Sequence, residues 1–190
     1  MKFSTTLNHP KIFIAIIFLA MLFCLPMLAN GLLLDDYPQR IAMYTAPTSN
    51  LFDFFSRGNP LTEAQLQSGI LPWWMSEEAK VRFFRPIGEL LIHLDYALWP
   101  DNFALMHLHS IAWYGVLLTA VASVYKRLLP LRWAAALATL MFALDYGHSA
   151  GVAWLCNRNV LVAMTLSMLC LLCHRRDSVR MSIVAVALFA

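Results

Sequence analysis

Long apolar runs alternate with polar stretches along this chain, and the apolar runs predict its helices. Residues 12–29 contain no charged side chain and are long enough to cross a bilayer as an α-helix. Further apolar segments cover residues 104–125, 132–146 and 158–173. Residues 181–190 are also apolar, but ten residues are too few to span a membrane alone. We therefore predict four membrane helices and the start of a fifth.

The first apolar segment is compatible with either a cleaved signal peptide or a permanent anchor. Its 18 residues exceed the usual hydrophobic region of a signal peptide. The sequence Met27-Leu28-Ala29 also lacks a small residue three positions before the exit. We interpret the segment as an uncleaved helix. Because the chain ends within an apolar segment, we expect it to be the N-terminal portion of a longer, truncated protein.

Polar and aromatic residues fill the long segment 30–103 between the first two predicted helices. Residues 50–57 hold three phenylalanines and predict an interfacial helix lying along the membrane surface. Residues 62–65, Thr-Glu-Ala-Gln, fit a capping box that opens another short helix. Trp73-Trp74 suits an aromatic anchor at headgroup level. Alternatively, these aromatic side chains pack the loop on itself.

Composition agrees with the apolar pattern, and the charge distribution gives an orientation. The 190 residues are 60% hydrophobic and 13% charged, with a mean hydropathy of +0.62, which is typical of a polytopic membrane protein. The N-terminus, residues 126–132 and residues 174–180 hold 8 of the 14 basic residues and one acid. Positive charge marks the cytoplasmic side. We expect an integral protein of a bacterial inner membrane, with a cytoplasmic N-terminus and residues 30–103 in the periplasm or exterior.

Two adjacent acids, Asp35 and Asp36, closely follow the first apolar segment. Carboxylates so near the hydrocarbon are costly unless they have a function or a partner. They would lie at the outer membrane boundary, where they could reach a lipid-borne substrate. The structural alternative is that they only mark a helix end.

An ordered set of motifs surrounds this pair. Residues 34–37 are Leu-Asp-Asp-Tyr, residues 84–99 begin Phe-Arg-Pro, and residues 142–154 are followed by Asn-Arg-Asn at 157–159. Their order resembles the GT-C fold of integral-membrane glycosyltransferases, in particular the protein-O-mannosyltransferase-like and tetratricopeptide-linked branches. The resemblance implies an all-α membrane protein, a polytopic helical bundle of GT-C type with a long outer loop bearing short interfacial helices.

The resemblance also implies a reaction. Such enzymes take a sugar from a polyprenyl phosphate and transfer it, with inversion, to a lipid, glycan or protein acceptor. By position in the motif, Asp35 would be the general base, a role typically worth ~10²–10⁴-fold in rate. Asp36 would orient Asp35, bind the acceptor, or help Asp35 hold a divalent metal ion. Desolvation at the membrane rim would raise the pKa of a carboxyl group and suit it to this task.

The leaving lipid phosphate requires cations on the same side of the membrane. Arg85 and Arg158 are our candidates, because a planar guanidinium donates two hydrogen bonds to phosphate at once. The alternative for Arg85 is a salt bridge to Glu89, four residues on. Tyr37 and His148 are candidates to line the site or contact the acceptor, although a packed or solvated histidine is the alternative for His148.

Other functions are disfavoured by the sequence. Residues 170–174, Cys-Leu-Leu-Cys-His, match a haem-attachment pattern, but they end a helix on the predicted cytoplasmic side, so we expect no haem. The basic residues cluster as topology signals, so we expect no nucleic-acid partner. The four cysteines lie in or beside apolar segments, which disfavours a disulfide framework. The alternative function is a non-catalytic membrane protein: an inactive relative, an assembly subunit, a carrier or an inactive fragment.

Overall fold

A computed structural model describes residues 9, 11–45, 51–56, 58, 60–69, 71–76 and 78–174, and the side chains of residues 60 and 61 are not described. The elements in chain order are α1 (Ile12–Phe23), α2 (Asp36–Thr45), β1 (Asp53–Ser56), α3 (Pro60–Gln67), β2 (Lys80–Arg82), α4 (Pro86–Leu98), α5 (Phe103–Leu128), α6 (Arg132–Leu144), α7 (Ser149–Ala153) and α8 (Arg158–His174). Short 3₁₀ turns cover Leu25–Ala29, Tyr146–His148 and Leu155–Asn157. The predicted fifth apolar segment, 181–190, lies outside the described residues.

Three helical stretches are long and apolar enough to cross a membrane: Ile12–Ala29, Phe103–Leu128 and Leu155–His174. They support a mostly helical membrane protein, and they coincide with three of the four predicted spans. The fourth, α6, is a shorter apolar helix of 13 residues. It ends at Leu144 because the side chain of Asp145 accepts a hydrogen bond from the Gly147 N–H and begins a 3₁₀ turn.

Helix α5 is the centre of the membrane part, because α1, α6 and α8 all pack against it. Its 26 residues place an apolar face toward each neighbour. At Gly115 the first helix comes so close that an added Cβ would lie 2.8 Å from Met21 Sδ. The core between these helices is formed mainly by the buried side chains of Ile16, Ala20, Leu117, Leu118, Val121, Ala135, Ala136 and Leu161.

A second core lies between the segment 30–103 and the ends of the membrane helices. It joins residues of this segment to Met106 near the start of α5 and to the 3₁₀ turn before α8. The segment is thus folded onto the helices rather than extended from them. The buried apolar side chains of this core are Leu32, Ala42, Leu51, Phe52, Ile92, Tyr96, Met106, Leu155 and Cys156.

The predicted interfacial helix at residues 50–57 is wrong in its described part, which holds strand β1. This strand pairs with β2 in an antiparallel hairpin-like sheet. Side chains reinforce the pairing, since Arg82 donates to Asp53 at 2.7 Å. The conformation of this segment is therefore set by pairing with residues about 29 positions away and not by its local aromatic pattern.

The predicted short helix at residues 62–65 exists, but it begins at Pro60 rather than at a Thr62 cap. Thr62 lies inside α3, buried, and its hydroxyl accepts a hydrogen bond from the Ser56 N–H at 3.1 Å. Thr62 therefore joins α3 to β1 instead of capping a helix. Helices α2 and α4 had no clear sequence signal.

The adjacent tryptophans at 73 and 74 project from the loop. They are 85% and 71% exposed, and their rings meet edge to face with centroids 5.5 Å apart. The alternative that these two side chains pack the loop on itself is therefore wrong, because packing would bury them. The headgroup-anchor role stays a prediction.

Candidate functional site

Asp36, which is adjacent to the predicted general base Asp35, is buried and joins the start of α2 to the 3₁₀ turn before α8. One carboxylate oxygen accepts the N–H of Leu33, three residues before Asp36 at the start of α2, at 3.0 Å. The other accepts the Cys156 N–H at 2.7 Å, across 120 residues. Because both oxygens are occupied and only 2% of the residue is exposed, the geometry does not support the predicted roles in acceptor or metal binding.

Asp35 differs from its neighbour in every respect that matters for reactivity. It is half-buried, and among the described residues no hydrogen bond to its carboxylate is found. Burial raises the pKa of Asp35 above its ordinary value, and the positive charge of Arg85 opposes that rise. The preceding residue, Leu34, has φ 41°, in the left-handed region that branched side chains rarely adopt. Asp35 is thus a partly desolvated carboxylate on a constrained turn.

Arg85 is held in place by two aromatic rings and one amide. Its guanidinium lies 4.4 Å from the Phe83 ring centroid and 5.1 Å from that of Phe52. Its Nη1 donates to the Asn159 side-chain oxygen at 3.3 Å. The alternative salt bridge to Glu89 is not formed, and Glu89 instead accepts the Leu51 N–H at 3.2 Å. Arg85 therefore keeps its charge near Asp35.

Arg158 is buried inside the fold, which argues against its predicted role in phosphate binding. Its Nη1 donates to Asp95 at 2.5 Å and its Nε to Ser110 at 2.8 Å. Its Nη2 donates to the Met106 carbonyl oxygen at 2.8 Å. Only 2% of the residue is exposed. This guanidinium joins α8 to α4 and α5 and is not presented to a lipid.

The second oxygen of Asp95 meets His109, and the surroundings define the histidine tautomer. Trp113 Nε1 donates to His109 Nε2 at 3.2 Å, so Nε2 acts as an acceptor. The proton of a neutral ring then lies on Nδ1, which is 2.6 Å from Asp95. Asp95 thus accepts from Arg158 and His109 together, and its buried charge is compensated.

The remaining predicted residues lie apart from this group. Tyr37 is 57% exposed on the first turn of α2. His148 stacks on the Phe142 ring, with centroids 4.3 Å apart, and lines a largely apolar cavity of about 310 Å³ with Tyr114 and Cys24. None of the residues around that cavity belongs to the Asp35 group, by which we mean Asp35, Asp36 and Arg85. This position matches the packed-histidine alternative.

Contacts that the sequence analysis did not predict hold the site together. The segment 154–159 contributes Cys156 to Asp36, Asn159 to Arg85 and Arg158 to Asp95. These partners lie far apart in the chain, so no local sequence pattern predicts that they meet. One usable signal was the placement of Asp95 on the same face of α4 as the buried Ile92 and Tyr96.

Within the described part of the chain, no group of three or more His, Cys, Asp or Glu side chains is arranged to hold a metal ion. Comparison with family models, with curated proteins and with solved structures found no match to this chain. Fold and composition define a helical membrane protein with at least three candidate spans.

Proposed function

We propose that this protein is a membrane glycosyltransferase of the GT-C type. It would transfer a sugar from a polyprenyl-phosphate donor to an acceptor hydroxyl on the outer face of the membrane. Asp35 would be the general base and Arg85 the cation that faces the lipid phosphate. The observation that carries the proposal is the different environment of two adjacent acids. Both carboxylate oxygens of Asp36 accept backbone N–H groups, whereas Asp35 is partly desolvated, which raises its pKa, and the charge of Arg85 partly offsets that rise.

The chemistry suits these two side chains. Asp35 takes the proton of the acceptor hydroxyl while the oxygen of that hydroxyl forms a bond to the anomeric carbon. The bond from that carbon to the phosphate oxygen breaks, and the lipid phosphate leaves with the electron pair. Attack opposite the leaving group inverts the anomeric configuration. Arg85 compensates the charge that develops on the phosphate, as cations aimed at developing charge do.

Electrostatics favours Asp35 for this role. A general base works best when its pKa approaches the working pH, and burial raises the pKa of Asp35 in that direction. The positive charge of Arg85 opposes this rise in the pKa of Asp35. The site therefore combines a base and an anion-binding group, as the proposed reaction requires.

The test is sugar transfer by the purified protein in nanodiscs. A panel of polyprenyl-phosphate sugars is supplied with water-soluble and lipid acceptors, and the product anomer is determined by NMR. We expect transfer from at least one donor with inversion. Product with retained configuration would contradict the general-base mechanism. Absence of transfer and of donor binding across the panel would favour a non-catalytic membrane protein.

A further inference from the structure

The start of α8 contacts the outer segment at one point of close approach. Asn159, the second residue of α8, accepts a hydrogen bond from Arg85 across 74 residues. The same guanidinium lies 5.1 Å from the Phe52 ring centroid and 4.4 Å from that of Phe83. Three groups from three separate segments therefore restrain one cation.

Gly88 makes this contact close. An added Cβ at Gly88 would lie 3.2 Å from Asn159 Cβ, which is tighter than ordinary side-chain packing, and 3.5 Å from Phe52 Cζ, which is an ordinary van der Waals contact. The first turn of α4 therefore lies directly against Asn159. Arg85 is the residue before that turn, so the same packing delivers its guanidinium to the Asn159 amide.

We propose that Asn159 is a positioning residue for lipid-phosphate recognition: its side-chain oxygen fixes the Arg85 guanidinium in the orientation that receives the phosphate. This inference rests on the proposed function, in which Arg85 binds the phosphate. Asn159 itself uses its oxygen on Arg85 and acts through that side chain.

Arginine has several rotatable bonds, and fixing it on binding has an entropic cost. An arginine already held by Asn159 and two rings loses less freedom when the phosphate arrives, and such preorganisation increases affinity. The contacts with the aromatic rings do not fix the direction of the N–H groups as a hydrogen bond does. The amide oxygen supplies the missing restraint.

The test is a double-mutant cycle on phosphate affinity. Wild-type protein, Asn159→Ala, Arg85→Met and the double variant are placed in nanodiscs, and binding of farnesyl phosphate is measured by titration. Farnesol, which has the same chain without the phosphate, is the ligand control. Methionine at position 85 keeps an unbranched side chain against Phe52 and Phe83 while removing the charge. Thermal unfolding of each variant verifies that it is folded.

We expect Asn159→Ala to weaken farnesyl-phosphate binding by about fivefold to tenfold, which corresponds to the ~1 kcal/mol net contribution of a typical hydrogen bond. Farnesol binding should not change. In the Arg85→Met background, the Asn159→Ala change should have no further effect, because residues that act through one another are not additive. The matched control is Asn157→Ala, which replaces an asparagine two residues earlier, at the end of the 3₁₀ turn Leu155–Asn157, and should keep wild-type affinity.

Each other result contradicts a specific step. Equal losses from Asn159→Ala in both backgrounds would show that Asn159 contacts the phosphate directly or acts on the fold, and would overturn positioning. Loss in Arg85→Met without loss in Asn159→Ala would also overturn it while leaving the proposed function intact. Wild-type affinity in Arg85→Met would refute the phosphate-binding role of Arg85 and the positioning inference with it.

Discussion

Asp35 and Asp36 have the same side chain and adjacent positions, yet their surroundings give them different roles. The two carboxylate oxygens of Asp36 accept hydrogen bonds from the backbone N–H groups of Leu33 and Cys156. Asp35 has no comparable partner among the described residues and lies near Arg85. The sequence singled out the two acids but could not predict that, within the described part of the chain, the Asp36 carboxylate would be hydrogen-bonded and that of Asp35 would not. The Cys156 N–H that binds Asp36 comes from a turn 120 residues away.

Replacement of Asp36 should affect stability rather than chemistry. Asp36→Asn puts an amide NH₂ opposite one of the two N–H donors, which leaves that donor buried without an acceptor. We expect a cost of about 1–3 kcal/mol in the free energy of unfolding. Thermal unfolding in detergent measures it. Asp101→Asn is the control, since Asp101 is an exposed acid whose ion pair to Arg40 contributes ~0–1 kcal/mol. Equal melting of the two variants would contradict the link.

Arg85 should control the pH at which the base works. A carboxyl group accepts a proton from the acceptor only when ionised, so transfer falls as pH drops through the pKa of Asp35. The Arg85 charge lowers that pKa, and its removal in Arg85→Met raises the pKa further. The acid limb of the rate–pH profile should therefore move to higher pH. Arg85→Lys keeps a positive charge and should leave the limb near its wild-type position; a limb unmoved in Arg85→Met would refute the coupling.

At the scale of elements, one buried ion pair joins helices that the sequence treats as independent. Arg158 at the start of α8 reaches Asp95 on α4 and Ser110 on α5. The membrane helices themselves follow from their apolar runs, and the structure places them close to the predicted limits. The strand pair and the ion pair depend on partners 29 and 63 residues apart. Local patterns carry no information on such pairings, so the sequence could not predict them.

The ion pair yields a stability prediction. Arg158→Met leaves Asp95 buried without its cation, and breaking a buried pair on one side typically costs ~3–5 kcal/mol. Asp95→Asn added to Arg158→Met removes the stranded charge and keeps an acceptor for His109. We expect the double variant to recover much of the loss in thermal unfolding. If the double variant were less stable than Arg158→Met, charge compensation would not be the role of this contact.

At the scale of the whole molecule, the loops at the two ends of the helix bundle differ in charge. The connection between α5 and α6 is flanked by Lys126 and Arg127 in the last turn of α5 and by Arg132 at the start of α6, whereas residues 145–157, between α6 and α8, contain no Lys or Arg. The connectivity places these loops at opposite ends. The positive-inside bias then predicts that the Asp35 group faces outward.

This orientation predicts which surface positions a membrane-impermeant maleimide reaches in intact cells. Ser68→Cys, at the exposed position directly after α3, should be labelled from outside. Leu131→Cys, 52% exposed between α5 and α6, should be labelled only after the membrane is opened. The unmodified protein controls for its four native cysteines. Labelling of Leu131→Cys in intact cells would reverse the topology and place Asp35 on the cytoplasmic side.

The most direct test of the proposed function compares sugar transfer by Asp35→Asn with transfer by the wild-type protein and by Asp101→Asn, in nanodiscs at equal amounts of folded protein. Loss of a general base predicts a rate ~10²–10⁴-fold lower for Asp35→Asn, with unchanged thermal unfolding. Asp101→Asn should keep the wild-type rate. Transfer by Asp35→Asn at the wild-type rate would contradict the assignment of Asp35 as the base.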